Sequence, residues 1–463
     1  MTESLSPQQE PTENAVRVVW ALAWPAVALN SLQVVNSLLD TTFVGHLESA
    51  ALTAQSGSMS VMFLMFSLAM ALGTASTALV SRAYGAGNVS EFRTACQKCL
   101  TMALVLGIVL TLTTIALAHP SAAVLLPKAD TRAMILMAKF LSIYALGLPA
   151  IFLIQTLAGA MRGIGDTKSP MVISGIQILL HICLNYILIF PPRHLSWGVT
   201  LPGANMGLLG AATALSASAW FAALGYVLYT GRTPLGEAWR IGWVDKAWAN
   251  RIMKIAVPTA VMAVLRVGSL AVFTIALKTV PNGSAAIGGM RAGFAIESIM
   301  FMPAFGLSMA ASALVGQSLG MGKPDRAERL VWVAAHHAAL VTVALAGPLF
   351  IFARPIAEAM IQGKPTMAME ATSLIHWLCG TEIFFAYAMV MIGAMQGAGD
   401  TVRPLWITIF ALWLLRVPLT FLCSSVLQWG STGAWFAISF SQAIQGVLAI
   451  WAFRLGYWKT KEV

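Results

Sequence analysis

Long apolar runs recur from one end of this 463-residue chain to the other, separated by short polar connections. In hydrocarbon a backbone N–H or C=O finds no water, so a spanning segment must satisfy its own polar groups as a helix or close into a barrel. Barrel strands alternate apolar and polar residues, and these runs do not alternate. Helices remain, each needing about 20 apolar residues to cross. The runs at 17–43, 50–83, 92–118, 131–161, 169–190, 206–230, 247–280, 284–318, 326–350, 369–396, 403–427 and 432–456 predict twelve of them. The composition agrees, with 58% hydrophobic and 10% charged residues, against about 25% charged in soluble domains. The expected fold class is an all-α polytopic membrane protein with almost no soluble domain. Its longest runs require tilt or kinks, which Pro25, Pro149, Pro258 and Pro303 can supply.

The net charge of +10 would suggest nucleic acid in a soluble protein, but here Lys and Arg sit in the connections. With the N-terminus, the even-numbered connections and the C-terminus in the cytoplasm, about 18 Lys and Arg lie there, about 7 lie opposite and about three lie within spans. Both termini are therefore expected in the cytoplasm, and no nucleic-acid partner is expected. Residues 1–16 form a polar, acidic tail without a basic n-region, so no cleavable signal peptide is expected. Cys96 and Cys99 form a lone CxxC with no second pair or nearby His, weak grounds for a metal site.

The two halves of the sequence repeat. GAMRGIGDTKSP at 159–170 and GAMQGAGDTVRP at 393–404 share eight of twelve residues at an offset of 234. LVSRAYGAGN at 79–88 and LVGQSLGMGK at 314–323 match at an offset of 235. Each half holds six spans, so both copies enter the membrane in the same direction and the repeat is parallel. The division expected is a cytoplasmic tail at 1–16, a first lobe at 17–230, a cytoplasmic linker at 231–246, a second lobe at 247–456 and a cytoplasmic tail at 457–463. Two six-helix lobes related by a pseudo-twofold axis suit a carrier that opens alternately to either side. In both Gly-Asp-Thr turns the Gly permits the bend, and Asp166 and Asp400 read as helix caps.

Polar groups within the spans are few. Asn30, Gln33, Ser37 and Asp40 share one face of span one at spacings of three and four. Burial in an apolar lobe disfavours the charged form of a carboxylate, so Asp40 can take up and release a proton. The alternative is a buried carboxylate that only hydrogen-bonds Asn36, Asn185 or another helix. Span five carries Asn185 as helix glue or site residue, and His181 one turn earlier reads as structural. The second half carries Arg266, Arg291, Glu297, Glu382 and Arg416, which read either as an ion-pair network or as site residues. Met62 and Met65, with the aromatic residues around them, would suit an adaptable pocket wall or simple packing. There is no GxxxxGK[ST] loop for nucleotide and no HExxH or GxSxG arrangement for hydrolysis, so an enzyme is not expected.

Pro25 followed by LLDTTFVG at 38–45, then ALVSRAYGAGN, GAMRGIGDTKSP, LNYILIF, ALVGQSLGMGK and GAMQGAGDTVRP, in order and duplicated, resemble the multidrug and toxic compound extrusion (MATE) family of the MOP flippase superfamily. The likeness runs from about residue 17 to residue 456. It implies a plasma (inner) membrane antiporter that exports amphipathic organic cations in exchange for protons or sodium ions, with no cofactor. Asp40 matches the family's span-one Asp and Asn185 its span-five Asn, with Asn36 and Thr213 completing the candidate coupling set. Where one branch has an Asp four residues after that Asn, this sequence has Ile189, which favours the proton over sodium. Where another branch has a span-seven Glu, this sequence has Arg266. The candidate substrate-binding residues are Gln33, Asn30, Met62, Met65, Arg266, Arg291, Glu297 and Glu382. The expected partners are small amphipathic substrates and the bilayer, with a monomeric protein. A flippase for a lipid or anionic substrate is the alternative.

Overall fold

A computed structural model describes residues 14–127, 130–194, 200–238 and 242–461. Most of the tail expected at 1–16, three residues of the linker and the last two residues of the sequence lie outside these. Eleven described helices are long and apolar enough to cross a membrane, and one bent pair makes a twelfth. They are α1 (Ala15–Gly45), α2 (Ser49–Gly85), α3 (Val89–Leu125), the pair α4 (Thr131–Ala145) and α5 (Leu148–Gly163), α6 (Lys168–Ile189), α7 (Leu208–Thr230), α8 (Lys246–Lys278), α9 (Gly283–Gly320), α10 (Pro324–Met360) and α11 (Pro365–Gly397). The next span runs through α12 (Val402–Ile409), two π-helical stretches and α13 (Val417–Phe421), and α14 (Gly430–Arg454) follows. The bend of 47° between α4 and α5 has Pro149 in the first turn of α5. A two-residue antiparallel pair, Arg193–His194 with Thr200–Leu201, is the one strand pairing among the described residues.

The helix starts are fixed by side chains that accept otherwise orphaned N–H groups. Asn88 accepts from Glu91 N at 3.0 Å, Asp130 from Ala133 N at 2.9 Å and Asp245 from Trp248 N at 2.9 Å. The Trp248 N–H, with Lys98 at 3.3 Å, holds the Asp245 carboxyl below its ordinary value. That contribution is present above the ordinary carboxylate range and is lost as pH falls through the lowered value. Asp166 accepts from Ser169 N at 3.0 Å as a cap should. Asp400, by contrast, is buried and binds Arg403. In both copies the preceding Gly has a positive φ, +93° at Gly165 and +83° at Gly399, which a side chain would strain.

The protein forms two compact units, one of residues 28–80 and 88–256 and the other of residues 14–27, 81–87 and 257–461. The sequence boundaries at 17–230 and 247–456 are thus crossed at both helix starts. Val19 and Ala23 of α1 are fully buried in a cluster with Ala304, Leu307 and Leu314 of α9. The first turns of α8 belong to the earlier unit, where Arg251 bonds Glu91 of α3 at 2.8 Å. Pro25 and Pro258 lie within two residues of these crossings. The expected linker is tied to the earlier unit, with Leu235 buried and Lys98 donating to the Trp243 carbonyl at 2.5 Å.

One crossing appears in each unit. In the first, Thr77 Oγ1 donates to Gly159 O at 3.0 Å, and a methyl on Gly159 would overlap the Gly73 carbonyl. In the second, Ser308 Oγ donates to Met389 O at 2.7 Å, and a methyl on Gly393 would overlap Ser308. Small residues let helix backbones touch where no water drives association. The expected C-terminal tail folds back in the second unit: Trp458 is 1% exposed, stacks on Phe453 at 4.8 Å and donates to its carbonyl at 2.9 Å. Its neighbour Lys459 pairs with Glu328 at 2.5 Å, which raises the ammonium above its ordinary value, so this link is lost only as pH rises through that raised value.

These contacts set two expectations for stability. Gly159→Val overpacks the α2–α5 crossing and is expected to destabilise by about 1–3 kcal/mol, read as a lower thermal midpoint in detergent. Trp458→Ala empties a filled site and is expected to destabilise by about 3–5 kcal/mol, with the same assay showing no change if the tail is merely apposed.

Candidate functional site

Asp40 lies in the last turns of α1, where Asn36 one turn earlier faces the same way and donates to its Oδ2 at 3.3 Å. On α6, His181 and Asn185 are also one turn apart and both reach the other oxygen. Asn185 Nδ2 donates to Asp40 Oδ1 at 2.6 Å and His181 Nε2 lies 3.0 Å from the same atom. Asn185 Nδ2 and His181 Nε2 are themselves 3.0 Å apart, closing a triangle. The His181 side chain is 4% exposed and the Asp40 side chain 25%, so the carboxylate is the more accessible of the two. Three polar partners compensate an ionised carboxylate that hydrocarbon would otherwise penalise.

The triangle opens on a cavity of about 140 Å³, room for several waters. Ser37 and Val44 of α1, Gln55, Met59 and Met62 of α2, Phe140 of α4, and Ala211 and Leu215 of α7 complete its wall. A thioether and aromatic wall beside one carboxylate is adaptable in shape and specific in charge.

The structure brings together Asp40, Asn36 and Asn185 and places Met62 on the wall. Thr213 does not line the cavity, because Ala211 and Leu215 present the lining face of α7 and position 213 lies about half a turn round. Its hydroxyl donates to Leu209 O at 2.9 Å on its own helix. Met65 is in the core, where Thr114 bonds its sulfur at 3.9 Å. Asn30 is buried and Gln33 exposed, and neither lines the cavity. Ile189 sits in the apolar core, so no oxygen ligand is offered there. His181, read from sequence as structural, is bound to the carboxylate; its spacing of four from Asn185 was the signal. Gln55 and Phe140 carried no such signal.

In the second unit, Glu382 of α11 is 1% exposed and its Oε2 has no hydrogen-bond partner among the described residues. Gln442 Nε2 of α14 donates to Glu297 Oε1 of α9 at 3.4 Å, and Arg416 Nε donates to Ser441 Oγ at 2.8 Å. Arg266 is half-buried and Arg291 exposed. No direct ion pair joins these acids and cations among the described residues, so a contact network of the kind the sequence allowed is not formed.

The MatE family profile matches residues 25–187 and 258–422, once in each half of the sequence. A Thermotoga maritima protein named "Probable multidrug resistance protein NorM" is 28% identical over 99% of this chain and 96% of its own length. The Arabidopsis thaliana "Protein DETOXIFICATION 30" is 25% identical, over 96% of this chain and 87% of that one. A solved outward-facing structure of a multidrug resistance MATE family transporter of the MOP superfamily superposes with a TM-score of 0.88 at 18% identity, over 97% of this chain and 98% of that one. Two matched stretches at the spacing of the internal repeat, on a twelve-span helical fold, leave one assignment: the chain belongs to the MatE family of multi-pass membrane transporters and is not an enzyme.

Proposed function

We infer that the protein exports amphipathic organic cations across the plasma membrane in exchange for protons, by alternating access of its two halves. The observation that carries this reading is Asp40, the one carboxylate lining the cavity, held by Asn36, Asn185 and His181. The names of its relatives, "Probable multidrug resistance protein NorM" and "Probable multidrug resistance protein YoeA", support the substrate class. Sodium asks for several oxygen ligands, whereas the groups bonded to Asp40 present nitrogens. A proton needs only the carboxylate. Proton entry from outside neutralises Asp40 and releases the substrate outward; proton loss inside restores the anion that attracts the next cation. Exchange of this kind requires that proton and substrate bind exclusively of one another. Exchange of one proton for one monovalent cation moves no net charge, so the pH gradient alone drives it, about 1.4 kcal/mol and about one decade of substrate gradient per pH unit. No cofactor takes part, the protein works as a monomer in the bilayer, and both termini are cytoplasmic, as the excess of Lys and Arg there requires.

The test is transport in everted vesicles under an imposed pH gradient, with ethidium and a fluoroquinolone as substrates. Wild type is expected to dissipate the gradient on substrate addition without sodium, and Asp40→Asn to slow this by about tenfold or more, equivalent to about 1.4 kcal/mol. Transport driven by sodium alone would overturn the coupling assignment. A response to neither ion, with the protein verified in the membrane, would favour a flippase acting on lipid or anionic substrates.

A further inference from the structure

One polar side chain on the cavity wall takes no part in holding Asp40. Gln55 of α2 is half-buried there, and its amide makes no hydrogen bond among the described residues. The remaining polar groups are already engaged or lie beside the carboxylate. Asn185 and His181 both bond Asp40 Oδ1. Ser37 is exposed and sits on α1 itself, about one turn from Asp40, so it extends the same polar spot rather than adding a second. Every other wall residue is aliphatic, aromatic or a thioether. An amide that faces such a wall without a partner is a position for a ligand group to occupy.

Asp40 also keeps an acceptor position open. Its Oδ1 receives two donors, whereas its Oδ2 receives only Asn36, at 3.3 Å, beyond the usual range for such a bond. A carboxylate has about four lone-pair positions, so Oδ2 can take a further N–H. The cavity thus offers an anionic acceptor on α1 and a neutral one on α2, since a Gln amide beside a cation presents its oxygen. One negative charge and two acceptors on different helices complement a protonated amine that carries two N–H bonds. A tertiary ammonium satisfies one of them and a quaternary ammonium neither. Volume sets the size of what enters. At about 140 Å³ the cavity is close to the roughly 150 Å³ that accommodates a single benzene ring. A single saturated ring fits whole, and the rest of a larger amphipathic substrate lies outside.

We propose that this cavity is the subsite for the cationic head of the substrate and that Gln55 is its specificity residue, selecting primary and secondary ammonium heads of single-ring size over more highly methylated ones. Asp40 Oδ2 accepts one N–H and Gln55 Oε1 accepts the other. The inference rests on the reading of this cavity as the substrate site. Packing and hydrogen bonding predict opposite orders. Each methyl added to the nitrogen brings apolar surface that burial alone would favour. Each N–H removed leaves an acceptor unpaired, and a site built to bond an N–H rejects the analogue that lacks it.

The test is binding of phenylpiperidine and its N-methyl and N,N-dimethyl derivatives to the purified protein in detergent at about pH 8, where all three are cations. Affinity is read from the ligand-dependent rise of the thermal midpoint. Wild type is expected to bind the secondary amine about tenfold more tightly than the tertiary one, and the tertiary more tightly than the quaternary. Gln55→Met keeps the length and removes the amide, so the gap between secondary and tertiary is expected to vanish while the gap between tertiary and quaternary, set by Asp40, persists. Tighter binding with each added methyl in wild type would mean packing alone and overturn the proposal, as would a secondary–tertiary gap that survives in Gln55→Met. Should the Met variant fail to fold, Gln55→Glu decides: an anionic acceptor strengthens the second N–H bond and must widen that gap, and an unchanged or narrower gap overturns the proposal. No binding of any of the three to wild type, with ethidium still exported from vesicles, sinks this inference alone. No binding and no export, with the protein verified in the membrane, sinks the reading of its function as well.

Discussion

A carboxylate within hydrocarbon is costly unless it is hydrogen-bonded, and in the first unit three side-chain partners answer that cost for Asp40. Donors arrive from both sides, Asn36 on its own helix and Asn185 with His181 on α6. Around the two polar groups that α6 presents to Asp40, the packing of this end of the helix is apolar. Ile178 and Ile189 are buried, and Phe190 at its end meets Phe43 of α1 edge to face at 6.0 Å. The polar cluster is compensated because the apolar surroundings hold its members at hydrogen-bonding distance.

The second unit repeats the scaffold and changes the chemistry. The α2–α5 crossing at Gly73 and Gly159 has its counterpart at Ser308 and Gly393, where a hydroxyl bonds the Met389 carbonyl. The polar equipment is not repeated. The corresponding helix of the second unit, α8, carries no carboxylate after Pro258. At the offset of 235, the cavity-wall Met62 corresponds to Glu297. Backbone-to-backbone packing constrains both copies, since a methyl at those glycines would meet a neighbour. The residues that face cavities are free of that constraint and have diverged.

The same distinction explains what could be read from the sequence. All twelve spans were legible because hydrocarbon imposes a length and composition on each, and the repeat was legible because its turns need Gly at positive φ, as at Gly165 and Gly399. Asp40, Asn36 and Asn185 were legible because polar groups are rare in such spans. Three features were not. The side of α7 that meets the cavity is set by packing among apolar residues, so Thr213 and its neighbours could not be told apart by periodicity. His181 carried one signal, its spacing of four from Asn185, which places it on the same face of α6 but does not by itself separate a packing role from a contact with a carboxylate on another helix. The exchange of helix starts between the units was hidden because the first half of α1 is apolar on all sides and would suit either partner.

That exchange makes α1 a helix shared by both units. α1 is one continuous helix from Ala15 to Gly45, yet its residues up to 27 pack in one unit and those from 28 onward in the other. Pro25 stands near the changeover, where it removes a backbone hydrogen bond and admits bending at small cost. Asp40 is about four turns further along. The other end of the same helix, at Val19 and Ala23, is embedded among Ala304, Leu307 and Leu314. α8 has the complementary construction, beginning in the unit of residues 28–80 and 88–256 and continuing past Pro258 into the other. Two helices are thus each divided between the units, each with a proline within two residues of the changeover.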